Sequence, residues 1–368
     1  MTLVIFIDGI GQDAAHDAGL DTLFDSARSL RTGIGYTVNI ITEVFAGLGP
    51  DAAGFFNKWG LAPDRAPLGR HPRLARWLDP LERFPAADLW VRRKLRQRGV
   101  DTARIPWRMC PYFGKIGTDV AHGPNTPRSI FADAPVFLAH PHGLPGRDHD
   151  ATVIEQARQA LRDKRDVVLF LTYLDGLGHD FGPDSSQYRR RASWYRDQIA
   201  GLIDVGQEAD PGSAVVLFSD HSMTPVTQHC RPPRFPRDVL AFVDATMIRL
   251  WAARGGDERC AEAAQALAAT GSGQLLSEAD RRAFGVTDPR WGDHIFVLDP
   301  GGLFVPDYFT GIHRPADSTA RGMHGYHPDH EETAGIFYTL GTPAAPATKV
   351  LDPAGAHDEI KLALGGLR

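Results

Sequence analysis

Two short stretches of this chain pair an acid with an imidazole at spacings that suit metal ligation. Asp175 and His179 stand four residues apart in VVLFLTYLDGLGHDFGP, residues Val167–Pro183. Asp220 and His221 are neighbours in SDHSM, and His324 lies between glycines in GMHGY. Asp8 opens a fourth stretch, DGIG. Carboxylate oxygens and imidazole nitrogens together suit a divalent cation of borderline softness. These six side chains are enough for two sites of three ligands each. Two divalent ions against three carboxylates would leave a local charge of about +1, which matches a phosphate oxyanion. Thr37 stands after the glycines of Arg31-Thr-Gly-Ile-Gly-Tyr and before a helix that ends at Gly47. At a helix N-terminus a threonine is favoured as a cap, and beside a metal its hydroxyl becomes a nucleophile. From this segment alone both readings stand.

The elements that must position these groups are buried strands. Thr2–Ile7, Val167–Leu171 and Ala214–Phe218 are unbroken apolar runs too short for typical helices, as in a parallel sheet covered on both faces. Each ends in an acid, and in an open α/β sheet the carboxyl edge is where ligands bind. Three glycines and a proline after Asp175 predict a loop there. Amphipathic helices are expected at Ala151–Arg162 and Tyr188–Val205, the second with Trp194, Ile199, Leu202 and Ile203 on one face. The final strand is expected at Gly335–Leu340. The Pro- and Arg-rich stretch of about 60–150 reads as loops with short helices, including Ala86–Arg98. The stretch 226–320 reads as irregular, with strands at Ala241–Leu250 and Ile295–Leu298 and a helix at Asp257–Ala269. The expected fold is therefore α/β, a mostly parallel central sheet flanked by helices. It forms a single domain over 1–368, with cap insertions at about 60–150 and 226–320.

Composition narrows the class. The chain has 368 residues, 43% hydrophobic and 23% charged, with a net charge of -5. That gives no reason to expect a membrane or a nucleic-acid polymer as partner. Cys110, Cys230 and Cys260 are scattered and form no CxxC, so a reduced, cytoplasmic interior is expected. MTLVIFIDGIG reads as a first core strand with no basic leader, so no signal peptide is expected.

Several motifs compete with the metal reading. Gly9-x-Gly11-x-x-Ala14 after a strand fits the dinucleotide fingerprint, with Asp21 or Asp25 in the ribose role. Asp8 directly before the first glycine would crowd a pyrophosphate with negative charge, so an NAD-binding oxidoreductase is the remote alternative. Cys230-Arg-Pro232-Pro-Arg234 fits CxPxR, the sulfatase signature, but it follows Asp220-His221, whereas sulfatases carry it in the Thr37 region. His140-Pro-His142 reads as a loop. Of His324, His327 and His330, only His324 sits in a motif.

Taken in order, Asp8, Thr37, Asp175-xxx-His179, Asp220-His221 and His324 resemble the alkaline phosphatase superfamily, in its nucleotide pyrophosphatase/phosphodiesterase branch. DGLGHDFGPDS resembles DxxGHxxGPxS, SDHSM resembles SDHGM with Ser222 for Gly, and Asn57-Lys58 resembles the branch's Asn-Lys pair. Thr37-Val-Asn-Ile-Ile-Thr resembles the nucleophile segment, although Val38 and Asn39 replace its Phe and Pro. The resemblance implies one metal on Asp8, Asp220, His221 and the Thr37 oxygen, and the other on Asp175, His179 and His324. It implies that Asn57 and the Thr37 N–H bind a phosphoryl oxygen. The implied reaction is cleavage of a phosphodiester or pyrophosphate in a small nucleotide-like substrate, through a phospho-threonine and with two divalent ions, zinc first and manganese second. A phosphomonoesterase or phosphomutase on the same core is the alternative.

Overall fold

The computed structural model describes residues 1–116, 129–131, 137–139, 148–253, 255–308, 319–342 and 348–365. His140–His142 lie outside the described residues. The chain forms two compact units. One comprises Met1–Gly49, Asp119–Val226 and Ala320–Arg368, the other Pro50–Thr118 and Thr227–Thr319.

The first unit is built on a seven-stranded sheet of β1 (Thr2–Ile7), β2 (Ser26–Leu30), β3 (Phe137–Ala139), β4 (Val167–Leu171), β5 (Ala214–Phe218), β6 (Gly335–Leu340) and β7 (Val350–Leu351). Their order across the sheet is β7-β2-β6-β5-β1-β4-β3. Only β6 runs antiparallel to its neighbours among the described strands. The expected mostly parallel sheet is therefore present, and β3 brings part of the stretch read as an insertion into it. Alternation along β1 assigns the two faces. Leu3, Ile5 and Ile7 pack with Val153, Ile154 and Ala157 of α3 (Asp150–Arg162) and with Tyr188, Tyr195 and Ile199 of α5 (Ser186–Ala209). Val4 and Phe6 turn the other way, toward Ile41, Val44 and Phe45 of α2 (Thr37–Ala46) and Ile360 of α6 (Pro353–Ala363). Phe6 meets Phe170 and Phe218 at 5.5 and 5.2 Å between ring centroids. Truncating such a buried ring costs about 3–5 kcal/mol.

One helix runs against expectation. After β4 the chain forms no loop but α4 (Tyr173–Phe181), whose Asp175, Gly176, Gly178 and His179 carry the motif. Gly178 is there for close packing, whereas Gly176 faces open space. A Cβ on Gly178 would stand 2.8 Å from the Met223 side chain, and one on Gly322 would stand 2.6 Å from the Gly178 carbonyl oxygen. Gly182, at φ +88°, ends the helix. A short first helix, α1 (Gln12–Asp17), follows the DGIG turn.

The second unit holds a four-stranded antiparallel sheet in the order Val239–Val243, Met247–Ala252, His294–Leu298, Gly273–Leu275. The single strand expected at Ala241–Leu250 is thus a hairpin, turned at Asp244–Thr246 where the Asp244 N–H donates to the Met247 carbonyl. Its core buries the ion pair of Arg249 and Asp244, 3.1 Å apart, with the guanidinium against Phe242 and donating to the Trp59 carbonyl. Helices Pro72–Leu78 and Pro85–Gln97 are joined by a short 3-10 turn, Asp79–Arg83. Among the described residues no helix is long and apolar enough to cross a membrane.

Candidate metal centre

The three central strands β5, β1 and β4 deliver the ligands at their carboxyl ends, as the sheet topology requires. Asp8 follows β1 directly, its N–H donating to the Leu171 carbonyl of β4 at 2.9 Å. Asp220 and His221 follow β5. On α4, Asp175 and His179 are four residues apart and so share a face. His324 comes from the segment after Gly322-Met323, a short strand paired with Thr224-Pro225.

Two groups of three form. Asp175, His179 and His324 offer ligand atoms all within 4.8 Å of one another, and so do Asp8, Asp220 and His221. In the first group, Nε2 of His179 lies 3.2 Å and Nε2 of His324 3.5 Å from Oδ1 of Asp175. In the second, Nε2 of His221 lies 3.3 Å from Asp220 Oδ2 and 3.5 Å from Asp8 Oδ1. The groups adjoin, because the His221 and His324 rings stack with centroids 3.6 Å apart and 8° between planes. Nδ1 of His179 donates to the Gly322 carbonyl and Nδ1 of His221 to the Ser222 carbonyl, both at 2.9 Å. Those bonds fix each ring and turn Nε2 toward the carboxylates, the usual arrangement for a ligating histidine.

The donor set fits divalent cations. Asp220 is fully buried, yet neither of its carboxylate oxygens has a hydrogen-bond partner, and the same holds for Oδ1 of Asp175. Buried carboxylates without partners are costly unless a cation meets them. The electrostatics agree. Burial, then repulsion from Asp175 and Asp220, pushes the Asp8 carboxyl well above its ordinary range. Burial raises Asp220 to about 6, partly offset by His221. Burial also opposes charge on Asp175, but His179, His324 and His221 outweigh it and hold that carboxyl below its usual range. Burial and the His221 ring push the His324 imidazole well below its ordinary range.

Thr37 is the first residue of α2 and does not cap it. Tyr36 takes the cap position, with no side-chain cap bond. The Thr37 hydroxyl instead lies 2.9 Å from Nε2 of His221 and 3.3 Å from Oδ1 of Asp8. Asn57 belongs to the second unit, where it is buried with neither amide atom hydrogen-bonded within the described residues. Lys58 beside it is half-buried, and desolvation followed by Lys115 lowers its pKa. Cys230 ends the strand Gln228–Cys230 of the second unit. His327 is buried, its Nδ1 accepting from the Asp329 N–H. Gly9 and Gly11 are explained by packing. Gly9 has φ +77° and lies against Asp175, and a Cβ on Gly11 would stand 2.5 Å from that of Ser222.

Sequence reasoning missed the residues that hold these loops. The Ser219 hydroxyl accepts from the Ile10 N–H at 3.0 Å and donates to the His221 carbonyl at 2.9 Å, tying the Asp8 turn to the Asp220 turn. Tyr188 of α5 donates to the Gly9 carbonyl. Asp150 accepts from the N–H groups of Thr172 and Tyr173 at the start of α4, and from the Tyr195 hydroxyl. Only Ser219 carried a signal, as the first residue of SDHSM.

Comparison with known proteins follows the same lines. The family model for type I phosphodiesterase/nucleotide pyrophosphatase matches residues 47–326. That span contains Asp175, His179, Asp220, His221 and His324, while Asp8 and Thr37 precede it. A search of the curated proteins finds no significant match. Among solved structures, human ectonucleotide pyrophosphatase/phosphodiesterase 5 is similar at a TM-score of 0.67 and 13% identity, covering 99% of this chain and 94% of that one. The murine counterpart was solved as an inactive threonine-to-alanine variant in complex with AMP. It gives a TM-score of 0.66 and 14% identity, covering 99% of this chain and 94% of that one. At these identities the structures share the fold. The sequence model matches more than half of the chain, and the chain belongs to the type I phosphodiesterase/nucleotide pyrophosphatase family.

Proposed function

We propose that this protein hydrolyses a phosphodiester or pyrophosphate bond in a small, nucleotide-like substrate, with Thr37 as nucleophile and two divalent ions, zinc before manganese. The observation that carries the reading is the Thr37 hydroxyl at 2.9 Å from His221 and 3.3 Å from Asp8, beside two ligand groups. Asp8, Asp220 and His221, with the Thr37 oxygen, would hold one ion, and Asp175, His179 and His324 the other. Bound there, the ions would supply Lewis-acid stabilisation of the phosphoryl charge and lower the pKa of a nucleophilic oxygen. The AMP complex of the murine relative supports a nucleotide-like substrate, and the threonine replaced in that inactive variant supports a threonine nucleophile.

The chain's own residues set the geometry. With Nδ1–H given to the Ser222 carbonyl, His221 presents the Nε2 lone pair on the side where Thr37 Oγ1 stands 2.9 Å away, so that both atoms could meet one ion. The Thr37 hydroxyl donates toward Oδ1 of Asp8 at 3.3 Å, and that carboxylate takes the proton as Oγ1 attacks. As Oγ1 bonds phosphorus, the ester oxygen of the leaving group departs with the electron pair of the broken bond. Water then cleaves the phospho-threonine and restores the hydroxyl. At its place on the first turn of α2, Thr37 also offers a backbone N–H that favours an anion. The family resemblance makes Asn57 the second donor for the phosphoryl oxygen. The three free cysteines support a cytoplasmic location. The test is kcat/KM for bis-p-nitrophenyl phosphate against p-nitrophenyl phosphate, a ratio that reports differential transition-state binding. Preference for the diester is expected. A preference of about a hundredfold for the monoester would reassign the protein as a phosphomonoesterase or phosphomutase.

A further inference from the structure

We propose that the segment Arg70–Arg98 of the second unit is a docking surface for an anionic lipid bilayer. Apolar residues scattered singly over a surface are ordinary, whereas several gathered on one segment mark an interaction or membrane site. Here Trp77 is 75%, Phe84 64% and Trp90 62% exposed, with Leu74 at 40%. They project from three consecutive short pieces: the helix Pro72–Leu78, the turn after it, and the helix Pro85–Gln97. These are not core residues left over. The inward side of the second helix is already filled by Arg92, which stacks on Trp107 at 4.1 Å and bonds Asp88 and the Ile105 carbonyl. Trp90, two positions earlier, must therefore face roughly the opposite way. On the first helix Ala75 and Leu78 are buried, which leaves Leu74 and Trp77 together on the outer side.

The charge around these rings names the partner. The segment holds nine basic and three acidic residues in a chain whose net charge is -5. All the basic residues except Arg92 are exposed, and of the acids only Glu82 is. Among the described residues none of those exposed cations forms an ion pair, whereas Arg92 pairs with Asp88. The whole-chain charge, which gave no reason to expect a membrane, hides this local excess. Indole and phenyl rings set among arginines suit the headgroup region of a bilayer, where the rings enter and the long cationic stems reach outward to phosphates. The acidic remainder would be repelled by the same surface, so the molecule would dock in one orientation. Proteins that bind single-stranded nucleic acid instead line such rings along a charged groove, and here they stand on separate short elements.

The test is co-sedimentation of the intact protein with vesicles of mixed phosphatidylglycerol and phosphatidylcholine, and with phosphatidylcholine alone. Binding to the anionic vesicles only, weakened by salt, is expected. The triple variant W77S/F84S/W90S should bind on the order of tenfold more weakly and keep the wild-type melting temperature and bis-p-nitrophenyl phosphate turnover. Quenching of the native tryptophan fluorescence by brominated lipid needs no variant and should accompany binding. The proposal is overturned if wild type ignores the anionic vesicles, or if the triple variant folds and still binds them fully. It is also overturned if the segment proves to bind a single-stranded oligonucleotide but not vesicles, or if the triple variant abolishes a dimer of the free protein.

Discussion

The two ligand groups reach the same spacing by different means. Asp8, Asp220 and His221 stand at the ends of neighbouring parallel strands, so sheet register places them. Asp175, His179 and His324 meet across a helix and a loop, and what places them is close backbone approach, with Gly322 against the Gly178 carbonyl. Their electrostatics differ as well. Burial opposes charge on all three carboxylates, but three imidazoles outweigh it at Asp175, His221 only partly offsets it at Asp220, and at Asp8 other carboxylates add to it. In the group of Asp8 and Asp220, burial and the neighbouring carboxylates oppose charge, a cost that a cation would relieve. Among the described residues Thr37 touches only the second group, so the proposed nucleophile would act on that side of the centre.

The sharpest break of this comparison is at Thr37. Thr37→Ala should lower kcat by about three orders of magnitude or more while both ligand groups still take up metal, and Thr37→Ser should retain part of the rate. Metal analysis with single-turnover kinetics checks it. Wild-type turnover by Thr37→Ala would reduce the residue to a helix start.

Next come two substitutions that should separate the groups. In Gly322→Ala a Cβ would stand 2.6 Å from a backbone oxygen, forcing His324 away from Asp175. Ser219→Ala removes the link between Ile10 and His221 and loosens the other group. Each should weaken metal binding about 10–100-fold at one group only. Cobalt titration followed by visible absorption resolves the two, and equal loss at both groups by either variant would show that they act as one unit.

What was legible in the sequence follows the same division. β1, β4, β5 and β6 lie where their apolar runs ended, because a buried parallel strand is written in consecutive residues. The acids and imidazoles after them were legible for the same reason. The helix carrying Asp175 and His179 was not, since glycines normally break helices and the use of Gly178 here depends on Met223 and Gly322, far off in the chain. The hairpin at Asp244 was hidden for a related reason, its turn lying inside an otherwise apolar run. Ser219, Tyr188 and Asp150 act through bonds to distant backbone atoms, which leave no local pattern.

The smallest expected effect lies on α2, away from the ligands. Burial raises the Glu43 carboxyl from 4.5 to about 8, against a hydrogen bond from Asn39. A carboxyl raised on folding binds its proton more tightly in the native state, so stability is fullest below about pH 4.5 and falls as pH rises toward 8. Glu43→Gln keeps an acceptor for Asn39 and removes that loss. Thermal melts should show the variant a few degrees more stable than wild type at pH 8.5 or so, with the gap closing toward pH 5. A gap that does not change with pH would remove Glu43 from the account.

The central claim is that the two groups are two metal sites serving one reaction, and metal stoichiometry measured together with turnover tests it most directly. Protein freed of metal by exhaustive chelation and reloaded with zinc should bind about two ions per chain and recover cleavage of bis-p-nitrophenyl phosphate. The apoprotein should be inactive and melt at a lower temperature, because the ions bind only the folded state. Full turnover after chelation, with no metal bound, would contradict the account.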